Sequence, residues 1–111
     1  FEIWVAPFSK VASPSEMSAR EVKDFADLLD IAAKKLDGVF DALMPLTMGW
    51  QIAPRGYEDS YHFHCVFQPL KRSHSKLKYL ASVEQITGFF LVDLPPERAA
   101  DILNGRADPD E

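Results

Sequence analysis

Met48-Gly49-Trp50-Gln51-Ile52-Ala53-Pro54, followed after a turn by Tyr61-His62-Phe63-His64-Cys65-Val66-Phe67-Gln68-Pro69, is the stretch whose reading decides the fold. Alternate residues of a β-strand point to opposite faces. In the second run Tyr61, Phe63, Cys65 and Phe67 therefore share an apolar face, and His62, His64 and Val66 share the other. The first run reads as a strand from about Leu46 to Ile52, with Met48, Trp50 and Ile52 on one face and Thr47, Gly49 and Gln51 on the other. Pro54-Arg55-Gly56-Tyr57-Glu58-Asp59 is rich in turn formers, so the two runs read as an antiparallel hairpin. If the faces register, Gly49 and Gln51 lie beside His62 and His64. Two imidazoles two positions apart on one strand face make a poor core and a good site.

Outward from the hairpin, residues 1–7 alternate Phe1, Ile3, Val5 against Glu2, Trp4, Ala6, a strand ending at Pro7. Ser9 to Ser15 is a loop. Ser18 with Glu21 three residues on forms a capping box. From there Val22, Phe25, Leu28, Leu29, Ala32, Ala33 and Leu36 recur at helical spacing, so a helix runs to about Leu36 with a solvated face of mixed charge. Gly38 ends or interrupts it. After the hairpin, Pro69 to Lys76 reads as a basic connection, Leu77 to Glu84 as extended, and Thr87 to Val92 as a short strand or packed loop. Pro95 or Pro96 opens a last helix through Leu103, since proline is tolerated in a first turn. Asn104-Gly105 closes it. The expectation is an α+β fold, a curved antiparallel sheet crossed by one long helix with a short C-terminal helix. One domain covers residues 1–103 and an acidic tail covers 104–111.

The 111 residues are 47% hydrophobic, enough for one domain with a core. A net charge of −5 speaks against a general nucleic-acid surface, which needs a basic face to displace phosphate counterions. It leaves room for a nucleotide held by a few local groups. The one cysteine, Cys65, falls on the apolar side of its strand and reads as a buried, inert thiol. No apolar run approaches the roughly 20 residues that span a bilayer, and no signal segment opens the chain. A cytoplasmic location, with no membrane partner, is the expectation. Phe1-Glu2-Ile3-Trp4-Val5 reads as a strand entered partway through a longer sequence.

The His-x-His strand resembles the signature of the histidine-triad (HIT) superfamily. More specifically, Met48-Gly49-Trp50 with Ala53-Pro54 resembles the C-terminal half of galactose-1-phosphate uridylyltransferases. So do Phe67 with Pro69, Leu70-Lys71-Arg72-Ser73, Lys78-Tyr79 with Glu84 six residues after Lys78, and Asp93-Leu94-Pro95-Pro96-Glu97-Arg98-Ala99-Ala100. The resemblance spans roughly residues 1–103. It implies a HIT-like half of a homodimeric nucleotidyltransferase, which moves UMP or another nucleotide between a nucleoside-diphosphate sugar and a hexose 1-phosphate. The family's nucleophile lies in a His-Pro-His motif of the other half, and no His-Pro-His occurs here. The chain alone is thus expected to be inactive, with no catalytic residue of its own. The alternative is a non-catalytic nucleotide- or sugar-phosphate-binding module.

Departures from the pattern bear on the metal. Gln51 stands where the family has a metal-site histidine, and Val66 where it has the second His of its C-terminal His-x-His; His64 matches the first. The family iron site is therefore expected to be lost. For His62 and His64 three readings stay open: zinc ligands, donors to phosphate oxygens, or partly exposed imidazoles bonded to the backbone. Lys71, Arg72, Lys76 and Lys78 form either a solvated loop or a phosphate and sugar contact, in which Arg offers a planar fork and Lys a point charge. The resemblance implies that Lys78, Tyr79 and Glu84 reach the hexose of a neighbouring subunit's substrate, with Arg72 beside them. Phe89, Phe90, Trp4 and Trp50 read as core or interface packing rather than a ligand-stacking surface.

Overall fold

The computed structural model describes residues 1–80, 82–90 and 94–108. Strand β1 (Ile3–Val5) is followed by a 3-10 turn (Pro14–Glu16) and the long helix α1 (Ala19–Asp37). Then come β2 (Leu46–Gln51), β3 (His64–Pro69), β4 (Lys71–Ser73), β5 (Lys76–Leu77), α2 (Ser82–Thr87) and α3 (Pro96–Leu103). The architecture is α+β, with β1, β3 and β2 forming an antiparallel sheet in that order and β3 in the middle.

Helix α1 starts where the capping box requires. Ser18 Oγ accepts from the Glu21 N–H at 3.2 Å, and the Glu21 carboxylate accepts from the Ser18 N–H at 3.4 Å. Such a cap is worth about 1 kcal/mol. Pairs Lys23–Asp27 and Lys34–Asp30 brace the wet face one turn apart, and the carboxylate beside each ammonium raises its pKa. Phe25, Ala32 and Leu36 are buried on the other face. They meet Val5, Phe63, Cys65 and Phe67 from the sheet. Phe63 is fully buried, with the Phe25 ring 5.6 Å away and the Trp50 ring stacked at 5.5 Å. The loop after β1 extends the pairing at the hairpin's loop end: Val11 and Ala12 carbonyls accept from the Phe63 and Ala53 N–H groups at 2.8 and 2.9 Å.

Every buried residue of the core cluster lies at or before Phe67. The radius of gyration is 19.5 Å, well above the ~13 Å of a compact domain this size. The chain after Pro69 thus adds no buried residue to that cluster, although α2 returns to pack on β2. Phe89 and Phe90, expected as core or interface packing, are exposed and take no part in this core.

Several expectations need correcting. The strand at the start is shorter than residues 1–7. The basic connection contains a small hairpin, β4 against β5, turning at His74-Ser75. The segment read as extended, Leu77 to Glu84, runs at its end into α2, which continues to Thr87, the first residue of the expected short strand. The β-branched Val83, Ile86 and Thr87 of this helix suggest a strand, but Thr87 Oγ1 donates back to the Val83 carbonyl at 2.6 Å. Gly88, at φ +75°, ends the helix with its N–H on the Glu84 carbonyl. Regular pairing of β3 begins only at His64, so Tyr61 leaves the apolar face and lies 6.0 Å from the His64 ring. Gln51 pairs with His64 as expected, while Gly49 pairs with Val66 rather than sitting beside His62. Residues 91–92 of the expected strand, Asp93 of the last motif and residues 109–111 of the tail lie outside the described residues.

Candidate functional site

The sheet face turned away from α1 holds a cleft of about 220 Å³. Its lining follows from strand alternation. Trp4 pairs with Val66, Val66 with Gly49, and His64 with Gln51, so side chains from all three strands point to this one side. The three positions at which the sequence departs from or retains the metal-site pattern, Gln51, His64 and Val66, thus come together. Glu2, Gln68 and Ile86 complete the walls.

His64 is held from several directions. Its ring stacks on Trp4 at 4.8 Å and 18°, with Tyr61 on a second stack. Nδ1 lies 3.0 Å from the His62 carbonyl, so Nδ1–H donates and Nε2 is left as the acceptor. His62 Nε2–H donates to the Pro7 carbonyl at 2.7 Å. Each imidazole has thereby committed one nitrogen to the main chain. The Glu2 carboxylate accepts from the Trp4 indole N–H at 2.5 Å and from the Gln68 amide at 3.3 Å.

This donor set does not fit an iron ion. Transition-metal sites in proteins draw on several imidazole, thiolate or carboxylate donors. The cleft offers one imidazole, one carboxylate already bonded by two N–H groups, two carboxamides and the alkyl group of Val66. Among the described residues no three His, Cys, Asp or Glu side chains gather within reach of one ion. His62 and His64 thus have no third ligand of those types there. Cys65 is fully buried on the opposite face, and burial pushes its thiol pKa up.

The second group of expected residues lies on the β4–β5 hairpin (Arg72), just after it (Lys78, Tyr79) and on α2 (Glu84). The Arg72 guanidinium sits 6.0 Å from the centre of the Tyr79 ring, so these two do come together. Tyr79 is almost wholly exposed. The half-buried Lys78 is anchored through its N–H to the Leu70 carbonyl. Glu84 is half-buried on α2, whose neighbouring Gln85 donates to the Pro69 carbonyl at 3.4 Å, two residues before the hairpin begins. Glu2, Trp4, Gln68 and Ile86 were not singled out as site residues from sequence. The signal existed for the first two, since Glu2 and Trp4 share one face of the first strand.

No protein-family model matches the chain. It is 39% identical over 103 residues to a galactose-1-phosphate uridylyltransferase of Thermotoga maritima, covering 90% of this chain and 32% of that protein. It is 32% identical over 106 residues to the Haemophilus influenzae enzyme of that name, covering 93% of this chain and 30% of the relative. Among solved structures, a uridylyltransferase superposes with a TM-score of 0.65 at 29% identity over 95% of this chain and 34% of its own. A uridylyltransferase mutant superposes at 0.66 and 28% identity, over 95% of this chain and 35% of its own. The chain spans about a third of the length of the relatives it matches. Over nine-tenths of its residues it is a relative, in sequence and in fold, of part of galactose-1-phosphate uridylyltransferase.

Proposed function

We propose that this chain is the C-terminal, HIT-like part of a nucleotidyltransferase acting between a nucleoside-diphosphate sugar and a hexose 1-phosphate. The observation that carries the reading is the 39% identity to galactose-1-phosphate uridylyltransferase over 90% of the chain. In the reaction, a histidine outside these residues attacks the α-phosphorus of the nucleotide sugar. A P–N bond forms, the P–O bond to the β-phosphate breaks, and sugar 1-phosphate leaves. A phosphate oxygen of the second sugar 1-phosphate then attacks the same phosphorus and frees the histidine. Both halves are displacements at phosphorus, so no redox partner is needed.

These residues bind and position. The Lys78 ammonium donates to a sugar hydroxyl, the Glu84 carboxylate accepts from hydroxyls, and Arg72 with Tyr79 presents a cation and a ring beside them. The absence of His-Pro-His from the sequence supports a nucleophile elsewhere in the intact protein. A homodimeric, cytoplasmic enzyme suits the same reading. The test is nucleotide exchange by the intact protein with UDP-hexose and hexose 1-phosphate, and mapping of the nucleotide-labelled histidine. Ping-pong kinetics with a label outside these 111 residues support the proposal. A label on His62 or His64 refutes the assignment of the nucleophile. No exchange with any nucleoside-diphosphate sugar would favour a non-catalytic binding module.

A further inference from the structure

We infer that the cleft between Trp4, Gln51, His64 and Val66 is a metal-free seat for helix α2. A metal ion in such a place ties strands together through ligands from different elements. Here side-chain hydrogen bonds make such a tie. The Glu2 carboxylate bonds both the Trp4 indole of its own strand end and the Gln68 amide of β3. Val66, 5% exposed, forms an apolar floor.

Above that floor sits Ile86. Gly49 pairs with Val66, and a Cβ added at Gly49 would lie 2.7 Å from both Cδ1 and Cγ1 of Ile86. Carbon atoms not bonded to each other rest about 3.5–4.0 Å apart. The missing side chain at Gly49 is therefore what admits α2 to the sheet. Ile86 brings alkyl carbons to the cleft beside Gln51 and Val66, a poor neighbourhood for a hydrated cation. Gln85, next along α2, adds its bond to the Pro69 carbonyl. Because α2 carries Glu84, the seat would position the proposed sugar contact. That consequence rests on the proposed function, whereas the seat itself does not.

Two measurements on the intact protein test the seat, and neither reads catalysis. Elemental analysis after growth with iron and zinc should find far less than one ion per chain that depends on His64, and a chelator should shift the melting temperature of the parent no more than that of His64→Ala. Hydrogen exchange should show the amides of residues 84–88 exchanging about tenfold faster in Gly49→Ala, while β3 keeps its protection. Ile86→Ala, which leaves the sheet untouched, should do the same. A stoichiometric ion lost in His64→Ala, or a chelator that lowers the melting temperature of the parent but not of His64→Ala, overturns the metal-free claim. Unchanged exchange of α2 in both variants overturns the seat.

Discussion

The imidazole of His64 lies flat against the indole of Trp4, with ring centres 4.8 Å apart and planes 18° from parallel. Trp4 belongs to β1 and His64 to β3, so the stack bridges two strands at the mouth of the cleft. Tyr61, displaced from the strand, covers the imidazole at 6.0 Å. A histidine placed this way contributes to the sheet by its ring as much as by its nitrogens.

Replacing it should show as much. His64→Ala removes two ring contacts and the bond to the His62 carbonyl, and aromatic pairs are worth about 0.5–1.5 kcal/mol beyond their buried area. A loss of about 1–2 kcal/mol in urea unfolding is expected. His64→Phe keeps the stacks and should recover most of it. An unchanged urea midpoint in His64→Ala would mean that the stack contributes nothing.

Phe63 is the stronger lever on stability. It is fully buried between Phe25 of α1 and Trp50 of β2. Phe63→Ala leaves a cavity that the sheet and helix cannot both close, and should cost about 3–5 kcal/mol. Urea unfolding of the variant against the parent measures it directly.

Cys65 predicts a pH dependence. Burial raises its thiol pKa above the ordinary 9.0, so the folded chain holds that proton more tightly than the unfolded one. The folded state is then fully favoured by this group below pH 9.0 and loses that advantage as pH rises through the raised value. Tyr and Lys titrate in the same range, so the comparison must be with Cys65→Ala. The parent should lose stability more steeply than the variant between about pH 8.5 and 10. Parallel curves would count against a perturbed thiol.

The sequence shows most clearly what local periodicity and caps encode. Ser18 and Glu21 mark the start of α1, and the alternation through Met48–Gln51 and Phe63–Phe67 specifies the hairpin and its buried face. Helix α2 is hidden because Val83, Ile86 and Thr87 favour a strand locally. The contacts that accompany the helix are distant: Ile86 over Gly49 and Gln85 on the Pro69 carbonyl. The cleft was half visible for a similar reason. His64, Gln51 and Val66 announce themselves in one hairpin, whereas the Glu2–Gln68 bond joins residues 66 positions apart and needs the β1–β3 register to be seen.

Glu84 separates a sugar contact from a structural carboxylate. It stands half-buried on α2, which follows the β4–β5 hairpin and the Lys78-Tyr79 segment in the chain. If it receives the hexose hydroxyls, Glu84→Ala in the intact protein removes an acceptor and leaves those hydroxyls unpaired on binding. A lost hydrogen bond to a charged group costs about 1.5–3 kcal/mol. At saturating nucleotide sugar this should appear as weaker use of the hexose 1-phosphate, about ten- to a hundredfold in kcat/KM. Glu84→Gln retains one acceptor and should fall between the two. The melting temperature should barely move, because a partly exposed carboxylate outside the core contributes little to folding. A large fall in melting temperature with sugar kinetics intact would make Glu84 part of the α2 scaffold. The sugar contact would then have to be sought among Lys78, Tyr79 and Arg72.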